Sequence, residues 1–344
     1  MMKESYPGSD WQAWKSASDA GYCAEALARL EEKLKTLPTT SFMVVQGGRV
    51  VFSYGDTSRA SYLASCRKSI LSLLYGKYVI NGTIDLRLTL GDLGIDEVDG
   101  LTSAEKSATL HQVLISSSGV FYAPGSPGSD LVGFPKRGAH SAGYFHYSNW
   151  DFNVAGEIFR RLTGVEVHEA LQADLAEPLG FQDFDRSRQR MLKFPTGSQY
   201  PAYHMFLSGR DMARVGLMVA RGGKWGDKQV VPAEWISRST ATIVPPQQMN
   251  GKFRNGDLGY GYYWWTPQRP LDPSWNDAFL ALGHFGQMIL GLPRIDTVIV
   301  HRRSVSDQRV INRHHHGDTS EPPAIKAQDF LALATDVLSA RLKN

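Results

Sequence analysis

The chain has 344 residues, of which 42% are hydrophobic and 21% are charged. This composition is typical of a globular protein with a large core, built as one domain or two closely joined ones. The formal net charge of +3 is too small to indicate nucleic-acid binding. No apolar run of 18 residues occurs and the N-terminus has no apolar signal segment, so we expect a cytoplasmic protein without a membrane partner.

Cysteines and histidines give no sign of a disulfide framework or a metal centre. The two cysteines are too few for such a framework, and we expect Cys66, which directly follows Ser65, to be a buried thiol. The run His314–His316 lacks the ligand spacing of a metal site and is typical of a solvated surface. We therefore expect no metal and no cofactor.

The first third of the chain predicts a helix, a hairpin and a second helix, in that order. A leucine-rich helix is predicted to end before Pro38. Two β-rich runs over Ser41–Gly55 surround Gly47-Gly48, which indicates a β-hairpin. The segment Ala64–Gly82, ASCRKSILSLLYGKYVING, predicts a helix that stops at its final Asn-Gly pair.

The middle of the chain reads as mostly helical, and strands return near the end. Helices are predicted over Ser148–Gly164, over Ser208–Gly223 and from Pro232 onward. The later elements are three predicted strands and a final helix, at Tyr260–Trp265, Ala278–Leu292, Asp296–Arg302 and Ala324–Leu342.

The early hairpin and the late strands are predicted to share one sheet, because an isolated hairpin is only marginally stable in water. The expected fold class is α/β of the α+β type, with an antiparallel sheet flanked by the N- and C-terminal helices and interrupted by a large, mostly helical insertion. Residues 1–60 and 255–344 would form the sheet subdomain and residues 61–254 the helical one. A ligand cleft is expected at their interface.

Three short motifs carry the candidate chemistry. Ser65 and Lys68 form an S-x-x-K pattern at a helix start, which fits either a capped helix with a surface lysine or a serine nucleophile with its base. The first interpretation is the commoner one for such a short pattern alone. Tyr147-Ser148-Asn149 opens a helix and His284-Phe285-Gly286 enters a strand, and these could likewise be a cap and a bulge. All three in this order are much harder to obtain by chance.

With these motifs, the chain resembles the serine β-lactamase and penicillin-binding-protein superfamily. It is most similar to the class C-like branch, which includes family VIII carboxylesterases, D-aminopeptidases and 6-aminohexanoate-dimer hydrolases. The resemblance extends over further stretches, ATLHQVLISSSGV, FHYSNWDFNVAGEIFRRLTG and SGRDMARVGLMVARGGKWGDKQVVPAEWI. It implies a β-lactamase/transpeptidase-like fold and an acyl-serine mechanism.

The resemblance also implies a role for each motif residue. Ser65 would be acylated, and Lys68 and Tyr147 would act as one coupled acid–base pair. For this, the pKa of Lys68 must fall, and that of Tyr147 must shift too, for instance because a cationic Lys68 stabilises phenolate character. Asn149 would hydrogen bond Lys68 or the substrate. The backbone N–H groups of Ser65 and Gln287 would form the oxyanion hole.

Three further residues are predicted to shape the substrate site. Gly286 would let another backbone approach closely, or mark a bulge. Tyr122 belongs to a group of aromatic residues of which one or two would line an apolar acyl pocket. His284 stands where many relatives carry the lysine of Lys-Thr-Gly, which argues against true β-lactamase activity unless Arg294, Arg302 or Arg303 supplies the missing cation.

The predicted function is therefore a serine hydrolase that cleaves a small-molecule ester or amide through an acyl-serine intermediate. Two alternatives are a β-lactamase or D-Ala-processing carboxypeptidase, and a catalytically silent binding protein with the same fold. The intact residues Ser65, Lys68, Tyr147 and Asn149 favour an enzyme. The sequence makes no prediction of oligomeric state.

Overall fold

The first hairpin and the last strands form one antiparallel sheet, as predicted. The computed structural model describes residues 5–126, 134–268, 272–315 and 323–342. Within these residues the sheet has seven strands, β1 Ser41–Gln46, β2 Arg49–Gly55, β3 Leu258–Tyr260, β4 Trp265–Pro267, β5 Phe279–Gly283, β6 Gln287–Leu292 and β7 Thr297–Arg302. Their order is β2-β1-β7-β6-β5-β4-β3, so strands from the two ends of the chain pair at β1 and β7.

The turn of the first hairpin follows the prediction from its two glycines. Gly47 and Gly48 have φ of 63° and 77°, the left-handed conformation that a tight two-residue hairpin turn requires. All residues of β1 are buried because this strand has a neighbour on each side, whereas those of β2 at the sheet edge are partly exposed.

Two late strands are each split by a turn, so the predictions of single strands there were wrong. Within Tyr260–Trp265 the chain reverses at Tyr263, which has φ of 64° and whose carbonyl accepts a 2.6 Å hydrogen bond from Ser69 Oγ. Within Ala278–Leu292 the turn His284–Gly286 separates β5 from β6. In both places a non-glycine residue takes the left-handed conformation, which its type does not indicate.

The helices confirm most of the predicted segments. They are α1 Ala24–Lys35, α2 Cys66–Ile80, α3 Ser103–Lys106, α4 Leu110–Leu114, α5 Asn149–Thr163, α6 Val167–Ala170, α7 Glu177–Leu179, α8 Gly209–Ala220, α9 Ala233–Ser239, α10 Asp307–His315 and α11 Ala327–Ser339. Helix α5 ends at Gly164 with φ of 71°, as its glycine predicted. Helix α10 was not predicted. It contains the first two residues of the histidine run, whose side chains lie outside the described part of the chain.

Helices cover both faces of the sheet. Gly216 of α8 packs so closely on β7 that an added Cβ would lie 2.6 Å from Val298. Phe330 of α11 lies 6.3 Å from the His301 ring, and α11 also packs against α1. Val298 and His301 are three positions apart on one strand and therefore face opposite sides. Helix α8 falls within residues 61–254 yet packs on the sheet, and the predicted subdomain division stays a prediction.

Helix α2 runs from the sheet into the helical part of the chain. Its length packs against α5 and α9, and it also contacts β5 and β6. Ser65, which immediately precedes it, therefore lies where sheet and helices meet. None of the helices in the described ranges is long and apolar enough to cross a membrane.

Candidate active site

Ser65 occupies the N-cap position of α2 but does not act as a cap. Its backbone is already helical, with φ of −73° and ψ of −13°, and its side chain accepts no backbone hydrogen bond from the helix. The preceding residue, Ala64, has φ of 48°, a conformation that is costly for a residue with a Cβ. The Ser65 hydroxyl lies 2.9 Å from Lys68 Nζ instead. The capped-helix interpretation is therefore wrong.

Lys68 is a buried amine at the centre of the site. It is 2% exposed, and its Nζ lies 2.9 Å from Ser65 Oγ and 2.9 Å from Tyr147 OH. The same atom is 3.7 Å from the centre of the Phe152 ring. Burial lowers the pKa of Lys68 well below its ordinary value, and the neighbouring Arg67 guanidinium lowers it further. A neutral amine in this position can accept the Ser65 proton.

Tyr147 is held by packed aromatic rings. Its ring centre lies 4.7 Å from that of Phe152 and 5.5 Å from that of Trp265, with which it stacks. Burial raises the pKa of Tyr147, and the hydrogen bond with Ser65 only partly opposes this rise. The expected phenolate stabilised by a cationic Lys68 is therefore not favoured in the resting site, because burial penalises both charged forms. Burial therefore favours the neutral form of both the amine and the phenol.

At the start of α5, the helix cap and the predicted site residue are two different residues. Ser148 is the N-cap, and its Oγ accepts a 3.2 Å hydrogen bond from the Trp150 amide. Asn149 is the first helical residue and is 5% exposed. Since Ser148 satisfies the helix end, the Asn149 side chain is not needed as a cap. Its contact with Lys68 or substrate stays a prediction.

The turn His284–Gly286 connects β5 and β6 beside the N-terminus of α2. His284 is exposed, whereas Phe285 is buried in a small apolar cluster with Phe206, Val305 and Val310. Phe285 and Gly286 have φ of 65° and 86°. The Gly286 carbonyl accepts a 2.6 Å hydrogen bond from His301 Nδ1, and burial lowers the pKa of His301 to about 4. A neutral buried histidine thus anchors the turn.

Gln287 is fixed from three sides. Its side-chain oxygen accepts a 2.6 Å hydrogen bond from Arg302 Nε, and its amide nitrogen donates to the Arg303 carbonyl. Its own carbonyl accepts a 3.0 Å hydrogen bond from the Cys66 thiol. Cys66 follows Ser65, so this bond joins the start of α2 to the start of β6. The role of the Gln287 N–H in an oxyanion hole stays a prediction.

The chain is similar to a known protein family. The Beta-lactamase family model matches residues 27–301, a span that includes every predicted site residue. The chain belongs to the Beta-lactamase family. The predicted resemblance is thereby confirmed.

Individual relatives of this Beta-lactamase-family chain are hydrolases. It is 26% identical over 326 residues to the 6-aminohexanoate-dimer hydrolase of Paenarthrobacter ureafaciens, covering 86% of this chain and 79% of the relative. A class C β-lactamase mutant has a similar structure, with a TM-score of 0.60 and 14% identity, covering 92% of this chain and 96% of that one. EstCE1, a hydrolase with promiscuous acyltransferase activity, has a TM-score of 0.56 and 13% identity, covering 85% and 96%. The predicted β-lactamase/transpeptidase-like fold is confirmed.

Tyr122 has contacts of a different kind from the other predicted residues. It is partly buried, and its hydroxyl donates a 3.2 Å hydrogen bond to Asp99. The Arg137 guanidinium lies 5.6 Å from its ring centre. These contacts include none of the three central residues of the site. Its place in an acyl pocket stays a prediction.

Sequence reasoning did not identify Phe152 or Arg67 as neighbours of the reacting groups. Phe152 fits the apolar periodicity of α5, which predicts core packing and gives no sign of contact with Lys68. The sequence does give a signal for Arg67, because this charged residue stands between Cys66 and Lys68 at the start of a helix that is otherwise mostly apolar. The expectation for the two cysteines is confirmed, because Cys23 and Cys66 are both free and Cys66 is buried.

Proposed function

We propose that this Beta-lactamase-family hydrolase cleaves a small-molecule amide or ester through an acyl-enzyme formed on Ser65. The observation that carries the proposal is the position of Lys68 Nζ, 2.9 Å from both the Ser65 hydroxyl and the Tyr147 hydroxyl. A neutral amine and a neutral phenol joined in this way can pass one proton from nucleophile to leaving group. A catalytically silent protein has no need for this buried polar pair.

Acylation begins with proton transfer from Ser65 Oγ to Lys68 Nζ as the oxygen attacks the substrate carbonyl. The negative charge on the carbonyl oxygen is held by the backbone N–H groups of Ser65 and Gln287 in this proposal. Ser65 lies at the N-terminus of α2, where the helix dipole also favours negative charge. When the tetrahedral intermediate collapses, the bond to the leaving group breaks. Tyr147 gives its proton to that group and is reprotonated by the Lys68 ammonium.

Deacylation uses the same pair in the opposite direction. A water molecule loses a proton to the Lys68–Tyr147 pair as it attacks the acyl carbonyl. The ester bond to Ser65 then breaks, and the proton returns to Ser65 Oγ. One coupled unit therefore serves as base and acid in both halves of the reaction, which requires no metal or cofactor in this proposal.

Of the three arginines considered as substitutes for the missing lysine, Arg294 is engaged elsewhere and Arg302 is buried. Arg294 forms a 2.6 Å ion pair with Asp277, and both side chains are exposed. Arg302 is 1% exposed, and it binds the Gln287 side chain and the Leu207 carbonyl. Their positions support a substrate that does not depend on a strong carboxylate anchor at this point. Neutral esters and amides fit this condition better than β-lactams or D-Ala peptides.

The amide side of the proposal has its own support. The curated relative is a 6-aminohexanoate-dimer hydrolase, which names a linear amide as the substrate of that protein. We therefore include linear amides of ω-amino acids among the substrates proposed for this chain. The cytoplasmic location and the lack of a nucleic-acid partner stay predictions from the sequence.

A substrate panel tests this function. It contains short-chain p-nitrophenyl esters, the linear 6-aminohexanoate dimer, short amides, D-amino-acid amides and a chromogenic cephalosporin, each assayed with the wild type and with Ser65→Ala. We expect turnover of at least one ester or linear amide that disappears in Ser65→Ala. Turnover that is equal in both proteins, or found with none of the panel, would contradict the proposal.

A further inference from the structure

Arg67 is a buried cation inside the S-x-x-K motif itself. It is 3% exposed and lies on the first turn of α2, next to Lys68. Its Nη2 donates a 3.1 Å hydrogen bond to Asn153 Oδ1, and its guanidinium carbon lies 4.4 Å from the centre of the Tyr203 ring. Its Nη1 is buried and has no hydrogen-bond partner. A guanidinium stays charged in a protein, so this position holds a permanent positive charge.

No carboxylate in the described part of the chain forms an ion pair with Arg67. Arg214 and Arg302 are likewise buried without a carboxylate partner among the described residues, but each donates to a backbone carbonyl, whereas the Arg221 side chain, 5% exposed, pairs with Asp296 at 2.7 Å. A buried charge without a counter-ion is costly for stability. An amide and an aromatic ring offset this cost only in part. Arg67 therefore has no anionic partner among the described residues to offset its charge.

Lys68 is the neighbour on which that charge acts. The titratable groups around it are Ser65, Cys66 and Arg67 on its own helix, Tyr147 and Asp151 at the start of α5, and Tyr203 and Tyr260 on the packed strands. Burial raises the pKa of the Cys66 thiol to about 12 and that of Asp151 to about 8, which favours the neutral form of both groups. Burial likewise raises the pKa of the tyrosines. Among these groups, Arg67 is the permanent charge.

We propose that Arg67 is a positioning residue whose charge keeps the Lys68 amine neutral and ready to accept the Ser65 proton. Two like charges on one buried helical turn repel each other, and the guanidinium cannot release its proton. The repulsion therefore favours the neutral form of the amine. This inference rests on the proposed function, because only a nucleophilic Ser65 requires a neutral base at this place.

Two variants weaken the repulsion between Arg67 and Lys68 in different ways. Arg67→Gln removes the charge, and Asn153→Asp places a carboxylate beside the guanidinium and offsets it. The measurement is the rate constant for labelling of Ser65 by a fluorophosphonate probe as a function of pH. In the wild type this rate rises with pH as Lys68 loses its proton. Without the opposing charge of Arg67, Lys68 stays protonated to higher pH. We therefore expect the rising part of the pH–rate profile, the acid limb, to shift upward by about one pH unit in both variants.

A matched control separates charge from structure. Asn153→Ser removes the hydrogen bond to Arg67 but leaves its charge, and we expect the limb to stay within about 0.3 pH units of the wild type. A purely structural role would lower labelling at all pH values without moving the limb. If the wild type is labelled but neither Arg67→Gln nor Asn153→Asp moves the limb, the inference is wrong and the proposed function stands. If the wild type is not labelled at all, both are wrong.

Discussion

Burial gives Lys68 and Tyr147 complementary protonation states. The amine loses its proton more easily and the phenol keeps it more firmly, because each charged form is poorly solvated in the interior. Each group alone would be an inert neutral side chain. Placed 2.9 Å apart and in contact with Ser65, they would form a base and an acid that regenerate each other in the proposed mechanism.

The first prediction therefore concerns single and double variants of this pair. We expect Lys68→Ala and Tyr147→Phe each to lower kcat by roughly 10²–10⁴, the usual contribution of general acid–base catalysis. The double variant should be little worse than the poorer single variant, because residues that act as one unit are not additive. Steady-state kinetics on the best ester or amide of the panel measures this.

Two results would contradict the prediction. Near-normal turnover in Tyr147→Phe would make Tyr147 a core aromatic residue without a role in proton transfer. Fully additive losses in the double variant would show that the two residues act independently. Thermal unfolding of each variant serves as the control, because loss of fold would lower activity without testing the mechanism.

At the level of elements, the turn between β5 and β6 is held by a contact that requires glycine. Gly286 has φ of 86°, and a Cβ there would lie 3.2 Å from the His301 ring. His301 cannot easily move, since its Nδ1 binds the Gly286 carbonyl and its Nε2 lies 2.9 Å from Thr39 Oγ1. The turn that contains His284 is therefore anchored to β7.

The second prediction compares Gly286→Ala with Gly82→Ala. Gly82 has φ of 81°, and a Cβ added there would meet no other atom within 4 Å. The two glycines therefore share a backbone conformation, but only Gly286 has a close neighbour. We expect Gly82→Ala to lower the free energy of unfolding by about 1 kcal/mol with no change in kcat. Gly286→Ala should lower it by about 2 kcal/mol and also lower kcat. Denaturant unfolding and steady-state assays measure both quantities. Equal stability losses and unchanged kcat would show that the turn tolerates the added methyl group.

Residue pattern and motif order predicted most of the elements that carry the site. The elements that were missed depend on local backbone conformations that the residue types do not indicate. The glycines of the first hairpin and the Asn-Gly end of α2 mark their positions through φ values that only such residues adopt easily. Tyr263 and Phe285 take the same conformation without any such mark, because tertiary contacts hold them there. The split strands were missed for this reason. Likewise, the motifs indicate Ser65, Lys68 and Tyr147, but not that burial leaves the pair neutral.

On the scale of the whole molecule, the sheet and the helical part meet at Ser65, so both would shape the proposed substrate site. The sheet contributes the turn with His284, and the helical part contributes the buried pair. Histidine has a reference pKa of about 6.5 and is mostly neutral above neutral pH unless its surroundings raise that value. A neutral donor binds a carboxylate about half as strongly as a charged one. This property should separate substrate classes.

The third prediction is that kcat/KM for a short-chain p-nitrophenyl ester exceeds that for a penicillin or cephalosporin by at least about tenfold. Such a ratio needs only ~1.4 kcal/mol of differential stabilisation. His284→Lys should lower this ratio, because it should selectively raise kcat/KM for the carboxylate-bearing substrate. His284→Gln should leave the ratio nearly unchanged. Equal or faster hydrolysis of the β-lactam by the wild type would contradict the prediction and favour the β-lactamase alternative.

The most direct test of the account is to find the acyl group on Ser65. The protein is treated with a fluorophosphonate probe and, separately, with a slowly hydrolysed ester, and is then analysed by intact mass spectrometry and peptide mapping. We expect one adduct per chain, located on the peptide that contains Ser65, and no adduct in Ser65→Ala, with turnover lost in parallel. An adduct that persists in Ser65→Ala, or maps to another residue, would contradict the central claim.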